Sequence, residues 1–270
     1  MMKALFNRWR TSRPFKDFYT EWITSLKSTL LPLLRRSLSS SSPDLLILST
    51  HVDLLHSHFH SYFTALDRAS NNEATHLLFP DWRNPLEKPF LWLGDFHPYI
   101  FTNLLRSFLE DDDSDANDDG QAVEFRGKVC NAWRNVDCSL WHNVEQMECG
   151  LRLMVPSIVA RHKDAQAAVV DKLAVGWRRE RGELKVGEVL GDVVDELNRV
   201  FLDANRLRRS VLGDIIGALN VLQAALFLER LAQFYVGFCD AELLAEFRKA
   251  SVKGFSSSHF AGSINYPKRE

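Results

Sequence analysis

The sequence predicts an all-α protein, a single-domain bundle of long antiparallel helices with no sheet. Three observations predict it. Large apolar residues recur at intervals of three and four along most of the chain, the period of one helix face. The apolar–polar alternation of a half-buried strand is nearly absent. Glycine and proline, which interrupt helices, are scarce inside the long apolar patterns.

Phe15, Phe18, Tyr19, Trp22, Leu26 and Leu30 give the first helix its core face, and Pro32 is expected to end or kink it. The serine run that follows reads as a loop, with Pro43 and Asp44 suited to start the next helix. That second helix carries the longest stripe: Leu45, Leu48, Val52, Leu55, Phe59, Tyr62 and Leu66, which requires partner helices along its length. After "FLWLGDFHP", a helix is expected from Pro98 through "PYIFTNLLRSFL". A further pattern runs through Trp133, Val136, Leu140, Val144, Met147, Leu151, Met154 and Ile158, with Pro156 expected to bend or divide it. Another helix starts near Val186, carrying Val189, Val193, Leu197 and Val200. The last helix spans about residues 210–238 and is apolar on more than one side, so it should be the most buried. The organisation expected is a basic N-terminal segment at 1–14, a helical domain at 15–240 with an acidic loop inserted at 110–120, and a disordered tail at 253–270.

Bulk properties bound the function classes. A chain of 270 residues with 46% hydrophobic and 25% charged residues can bury a substantial core. A formal net charge of −2 argues against a bulk polyanion binder. The four cysteines form no C-x-x-C pair and there is no N-x-S/T sequon, which fits reduced thiols in a cytosolic or nuclear setting. No run is long and apolar enough to span a bilayer. The N-terminus "MMKALFNRWRTSRPF" is basic, has no acid before Asp17 and lacks the apolar stretch of a secretory signal. It reads as a solvated end, as a membrane-surface contact through Lys3, Leu5, Phe6, Arg8, Trp9, Arg10 and Arg13, or as a transit peptide.

Chemistry is sparse. Asp95 and His97 are the obvious acid–base candidates, but the glycine and proline around them favour a turn, with Asp95 capping the helix after Pro98. His56 and His60 stand four apart, as zinc ligands on a helix do, without a third ligand; exposure on a polar face is the simpler reading. Clusters at Trp177–Arg181 and Arg206–Arg209 read as solvated faces more than as phosphate sites. The acidic loop holds Asp111, Asp112, Asp113, Asp115, Asp118 and Asp119. Asp115, Asn117 and Asp119 with Gly120 match the opening of a calcium loop, but Arg126 stands where the bidentate glutamate belongs. The loop is therefore a linker, an adapted calcium site, or a docking surface for a basic partner. No cofactor other than calcium is indicated, and no catalytic set is recognisable.

Three blocks, in order, carry a resemblance. "FKDFYTEWITSL", "WRNPLEKPFLWLGDFHPYIFTNLL" and "LDANRLRRSVLGDIIGALNVLQAALFL" resemble the plant delay-of-germination-type domain, which also forms the C-terminal half of TGA leucine-zipper transcription factors. The likeness covers about residues 15–238. Asp95 and His97 stand where the family usually has glycine and arginine, and the acidic insertion is not general. No basic region or zipper precedes Phe15, so direct nucleic-acid binding is not expected. The short chain, its start and the acidic stretch are most similar to the family's pollen-aperture branch. That likeness implies a non-enzymatic scaffold, cytoplasmic and recruited to plasma-membrane domains, which marks sites of pollen aperture formation and excludes exine. The likeness implies other proteins at the plasma membrane as partners; the basic N-terminus adds an anionic membrane surface and the need for a second contact adds self-association as candidates. A nuclear co-regulator and a calcium-responsive adaptor are the alternatives.

Overall fold

The computed structural model describes residues 14–40, 44–110, 132–134, 136–179 and 186–254. Eight α-helices lie among them: α1 (Phe15–Ser25), α2 (Leu31–Ser39), α3 (Leu45–Leu78), α4 (Tyr99–Leu109), α5 (Cys138–Arg179), α6 (Val186–Ala218), α7 (Val221–Gly237) and α8 (Ala241–Gly254). The long helix α3 packs against α1, α2, α6 and α7, while α4 bridges α5, α6 and α7. Arg161 of α5 reaches both Glu196 and Asp203 of α6. Positions equally distant from the 180–185 connection therefore lie side by side, and the pair is antiparallel.

Local chemistry explains the boundaries. α1 and α2 are joined by a widened turn, Leu26–Leu30, whose closing bond runs from Leu31 N–H to Leu26 O, five residues back. Pro32 follows immediately and can donate no bond, so the backbone adjusts by a π-type turn and the helix resumes. Asp44 caps α3 by accepting from the N–H groups of Leu46 and Ile47. The predicted stripe of α3 is buried from Leu48 to Leu66, but Leu45 at its start stays 63% exposed. Near its end α3 is kinked at Glu73, whose carboxylate accepts the Phe15 N–H at the start of α1.

Four expectations are corrected. The chain contains a minimal sheet: β1 (Leu91–Trp92) pairs antiparallel with β2 (Asp95–Phe96) across a two-residue turn. Two-residue strands leave no alternation to read. Of the two outcomes expected at Pro156, bending or division, division is overturned, since α5 runs through it. The expected helix at 210–238 is two helices, because the chain breaks before Asn220 and restarts in a capping box between Asn220 and Gln223. Finally, α8 lies beyond the expected domain end, and its last two residues fall within the expected tail. The prediction that the last apolar helix is the most enclosed is met by α7, buried on several sides.

Candidate functional site

Polar groups converge on the short hairpin β1–β2, whose second strand, Asp95–Phe96, is buried. Leu93 and Gly94 form its turn with φ of 47° and 85°, the left-handed pair that a tight hairpin requires. Glycine is obligatory at the second position, since a Cβ there would lie 2.3 Å from Leu77 O and 2.8 Å from the Phe201 ring. Beneath the turn, Arg208 of α6 is fully buried. Its Nε donates to Phe96 O at 2.7 Å, and Nη2 donates to the carbonyls of Trp92, Leu93 and Asp95. One guanidinium thus holds the whole hairpin backbone.

A second arginine completes the centre. Arg83, in the connector between α3 and β1, donates through Nη2 to Tyr62 Oη at 2.5 Å and to Asp95 Oδ1 at 3.2 Å. Its Nη1 lies 3.6 Å from Glu87, which accepts the Tyr19 hydroxyl proton at 2.7 Å. The Tyr19 ring lies 4.1 Å from the guanidinium carbon, a cation–π contact. Arg83, Glu87 and Asp95 are each no more than 2% exposed. Burial pushes the hydroxyls of Tyr19, Tyr62 and Tyr235 well above the ordinary tyrosine range, so all three stay neutral. Two cations facing two carboxylates balance the charge that the interior must hold.

Asp95 therefore does not cap α4, contrary to expectation; its carboxylate is taken by Arg83. Nor does His97 join it. The His97 ring lies against Trp92 and stacks on Tyr99 at 4.9 Å, and its Nδ1 accepts the Tyr99 N–H. Burial, with Arg208 nearby, holds its pKa below the usual histidine value. The expected turn is present, and the two side chains face different surroundings. The Arg206–Arg209 cluster is not a solvated face: Arg206 is exposed, Arg208 is enclosed and Arg209 pairs with Asp67 at 3.0 Å. A signal for Arg208 existed. It stands four residues from both Ala204 and Leu212, inside the apolar stripe of α6. Tyr19 and Tyr235 were legible only as core positions, and Arg83 and Glu87 carried no comparable signal, because only the fold brings all four to one point.

On its outer side the turn forms one wall of an open cleft of about 380 Å³. Leu78, Phe79, Pro80, Leu91 and Leu93 give it apolar walls, with Asp81, Lys88 and His162 as polar members. Such a cleft can take one apolar group beside a small polar one.

The other candidate sites are separate from this centre. His56 and His60 meet no third ligand: among the described residues no group of three or more His, Cys, Asp or Glu could hold a metal. His58 instead stacks on Trp22 at 5.0 Å and donates to Trp22 O, while the indole donates back to His58 O. Lys3, Leu5, Phe6, Arg8, Trp9, Arg10 and Arg13 lie outside the described residues, as do Asp111, Asp112, Asp113, Asp115, Asn117, Asp118 and Asp119, and the side chains of 177–181. Described residues on either side of positions 111–131 come into contact. Phe108 of α4 stacks on Trp133 at 5.0 Å, and Gln223 donates to Ala132 O. Among the described residues no helix is long and apolar enough to cross a membrane.

The family profile described as seed dormancy control (DOG1) matches residues 30–107, from the α1–α2 junction through α4 and so including the hairpin. The chain is 42% identical to Protein INAPERTURATE POLLEN1 of Arabidopsis thaliana over 92% of its own length and 98% of that protein. It is 34% identical to a rice homologue over 87% of the chain and 88% of the relative. Transcription factor TGA6 of Arabidopsis thaliana is 32% identical over only 36% of the chain and 28% of its own length. Matched nearly end to end at this identity, the chain belongs to the DOG1-type family, in the branch of the INAPERTURATE POLLEN1 proteins.

Proposed function

We propose that this protein acts in pollen aperture formation as a non-enzymatic scaffold that marks plasma-membrane domains. The observation that carries the reading is the match to INAPERTURATE POLLEN1 over 92% of the chain. The geometry supports the mechanism. The polar centre is sealed from solvent and serves to fix the shape of the hairpin, so that the surrounding surfaces are presented rigidly to partners.

Two outer segments do the contacting in this reading. The acidic stretch, Asp111 to Asp119, is a docking loop for a basic partner, since its carboxylates complement a cationic surface. The basic, aromatic N-terminal segment adds attraction to an anionic inner leaflet, about 1 kcal/mol per basic residue near the surface. One such patch gives only marginal residence, so a second contact is needed.

The test is complementation. The chain, introduced into plants lacking their own INAPERTURATE POLLEN1, restores apertures, and a fluorescent fusion collects in patches at the cell periphery. Nuclear accumulation with no restored apertures would instead favour a transcriptional co-regulator. Replacing the six loop aspartates by asparagine abolishes marking while the far-UV helical signal is kept; unchanged marking reduces the loop to a linker. Titration with calcium by calorimetry separates docking from a calcium adaptor.

A further inference from the structure

The helix α8 is not part of the core. It follows α7 after a short turn capped by Asp240, which accepts from the N–H groups of Glu242 and Leu243. Among the described residues it packs extensively against no other element. Leu243 is 50% exposed, and Leu244 and Phe247 are half-buried without belonging to the hydrophobic core cluster. At helical spacing these three residues form one apolar stripe. The charges along the helix are polarised. Glu242 and Glu246 occupy its first half, and residues 247–254 carry Arg248, Lys249 and Lys253 with no acid. A stripe of leucine and phenylalanine outside the core cluster, followed along the chain by basic residues, has the chemistry of a helix that lies in a lipid–water interface.

We propose that α8 is a membrane-contact element whose occupant is an anionic lipid surface. Leu243, Leu244 and Phe247 enter the acyl boundary, and the exposed Arg248 and Lys249 meet the headgroups. The proposal rests on the membrane-domain reading above and supplies the second contact that the N-terminal segment needs. The polarity also sets the orientation: the C-terminal half of α8 sits deeper than its acidic first turn.

The experiment uses the full-length chain and vesicles of phosphatidylcholine with and without phosphatidylserine. Binding is expected only to vesicles containing phosphatidylserine, and added salt weakens it. The double variant Leu243→Asp/Phe247→Asp is expected to bind at least about tenfold more weakly, with its helical signal unchanged because neither residue belongs to the core. Arg248→Glu/Lys249→Glu should bind more weakly than the parent and lose the preference for phosphatidylserine. If the α8 variants bind like the parent while Phe6→Asp/Trp9→Asp does not, the N-terminal segment acts alone and the proposal falls, with the membrane reading intact. Absence of binding to any vesicle removes direct lipid contact for both segments and leaves the aperture role to complementation. A concentration-dependent dimer that Leu243→Asp/Phe247→Asp dissolves would assign the stripe to a second copy, and likewise overturn the proposal.

Discussion

Arginine meets carboxylate in two quite different places in this molecule. Around the hairpin, Arg83 pairs with Asp95 and Glu87 where none of the three is exposed beyond 2%. Along the α5–α6 pair, Arg161 bonds Glu196 and Asp203, and Arg199 and Arg206 extend the ladder, all in contact with water. The residue types are the same, and the outer pairs are the shorter ones. Distance is nevertheless a poor guide to their worth. An exposed pair replaces water with little net gain, whereas removing one partner of a buried pair strands a charge in the interior. The hairpin region is therefore where the fold can be broken by one atom group, and the outer ladder is where it tolerates change.

Substitutions turn that contrast into measurements. Arg208→Leu should cause the largest loss, since four backbone carbonyls lose their donor together; denaturant titration should show about 3–5 kcal/mol of destabilisation. Gly94→Val is expected to lose more than about 3 kcal/mol, because its Cβ cannot coexist with Leu77 O and its φ is left-handed. Tyr62→Phe removes one acceptor from Arg83 and should cost about 1–3 kcal/mol. Arg161→Ala, in the outer ladder, should cost no more than about 1 kcal/mol. A loss at Arg161 as large as at Arg208 would erase the distinction between the regions.

The smallest effect is pH dependence. Burial lowers the pKa of His56, His58, His97 and His162 in the folded protein. Each favours the neutral ring when folded, so its contribution is complete above the unfolded value of about 6.5 and is lost as pH falls through the folded value. Thermal midpoints should decline gradually from neutral pH toward pH 5, and His58→Gln should reduce that slope. Glu148 and Glu196 are held below the ordinary carboxylate value, first by hydrogen bonds from Arg106 and Arg161 respectively. Their contribution is present above about pH 4.3 and is lost at lower pH, a separate and more acidic phase.

Much of the architecture was legible beforehand because helix periodicity is a local property. The α3 stripe from Leu48 to Leu66 is buried as its spacing demands, and Asp44 caps where its side chain must. Helix ends were less legible where a polar side chain decides them, as Asn220 does in splitting the expected 210–238 helix. The helix α8 was missed because its short apolar pattern merges with a polar, serine-rich end of the chain. The polar centre was scarcely legible at all. Tyr19, Tyr62, Arg83, Asp95, Arg208 and Tyr235 span more than 200 positions, and no spacing rule joins them.

By itself the sequence determined that the protein is helical, which faces are apolar, and which family it belongs to, since those depend on residue type and interval. Tertiary structure alone decided which backbone Arg208 clamps, that Arg83 and Glu87 join it at one centre, and that Asp95 and His97 part company. A charge acquires its role from the dielectric and the partners around it, and both are set only when distant segments pack together.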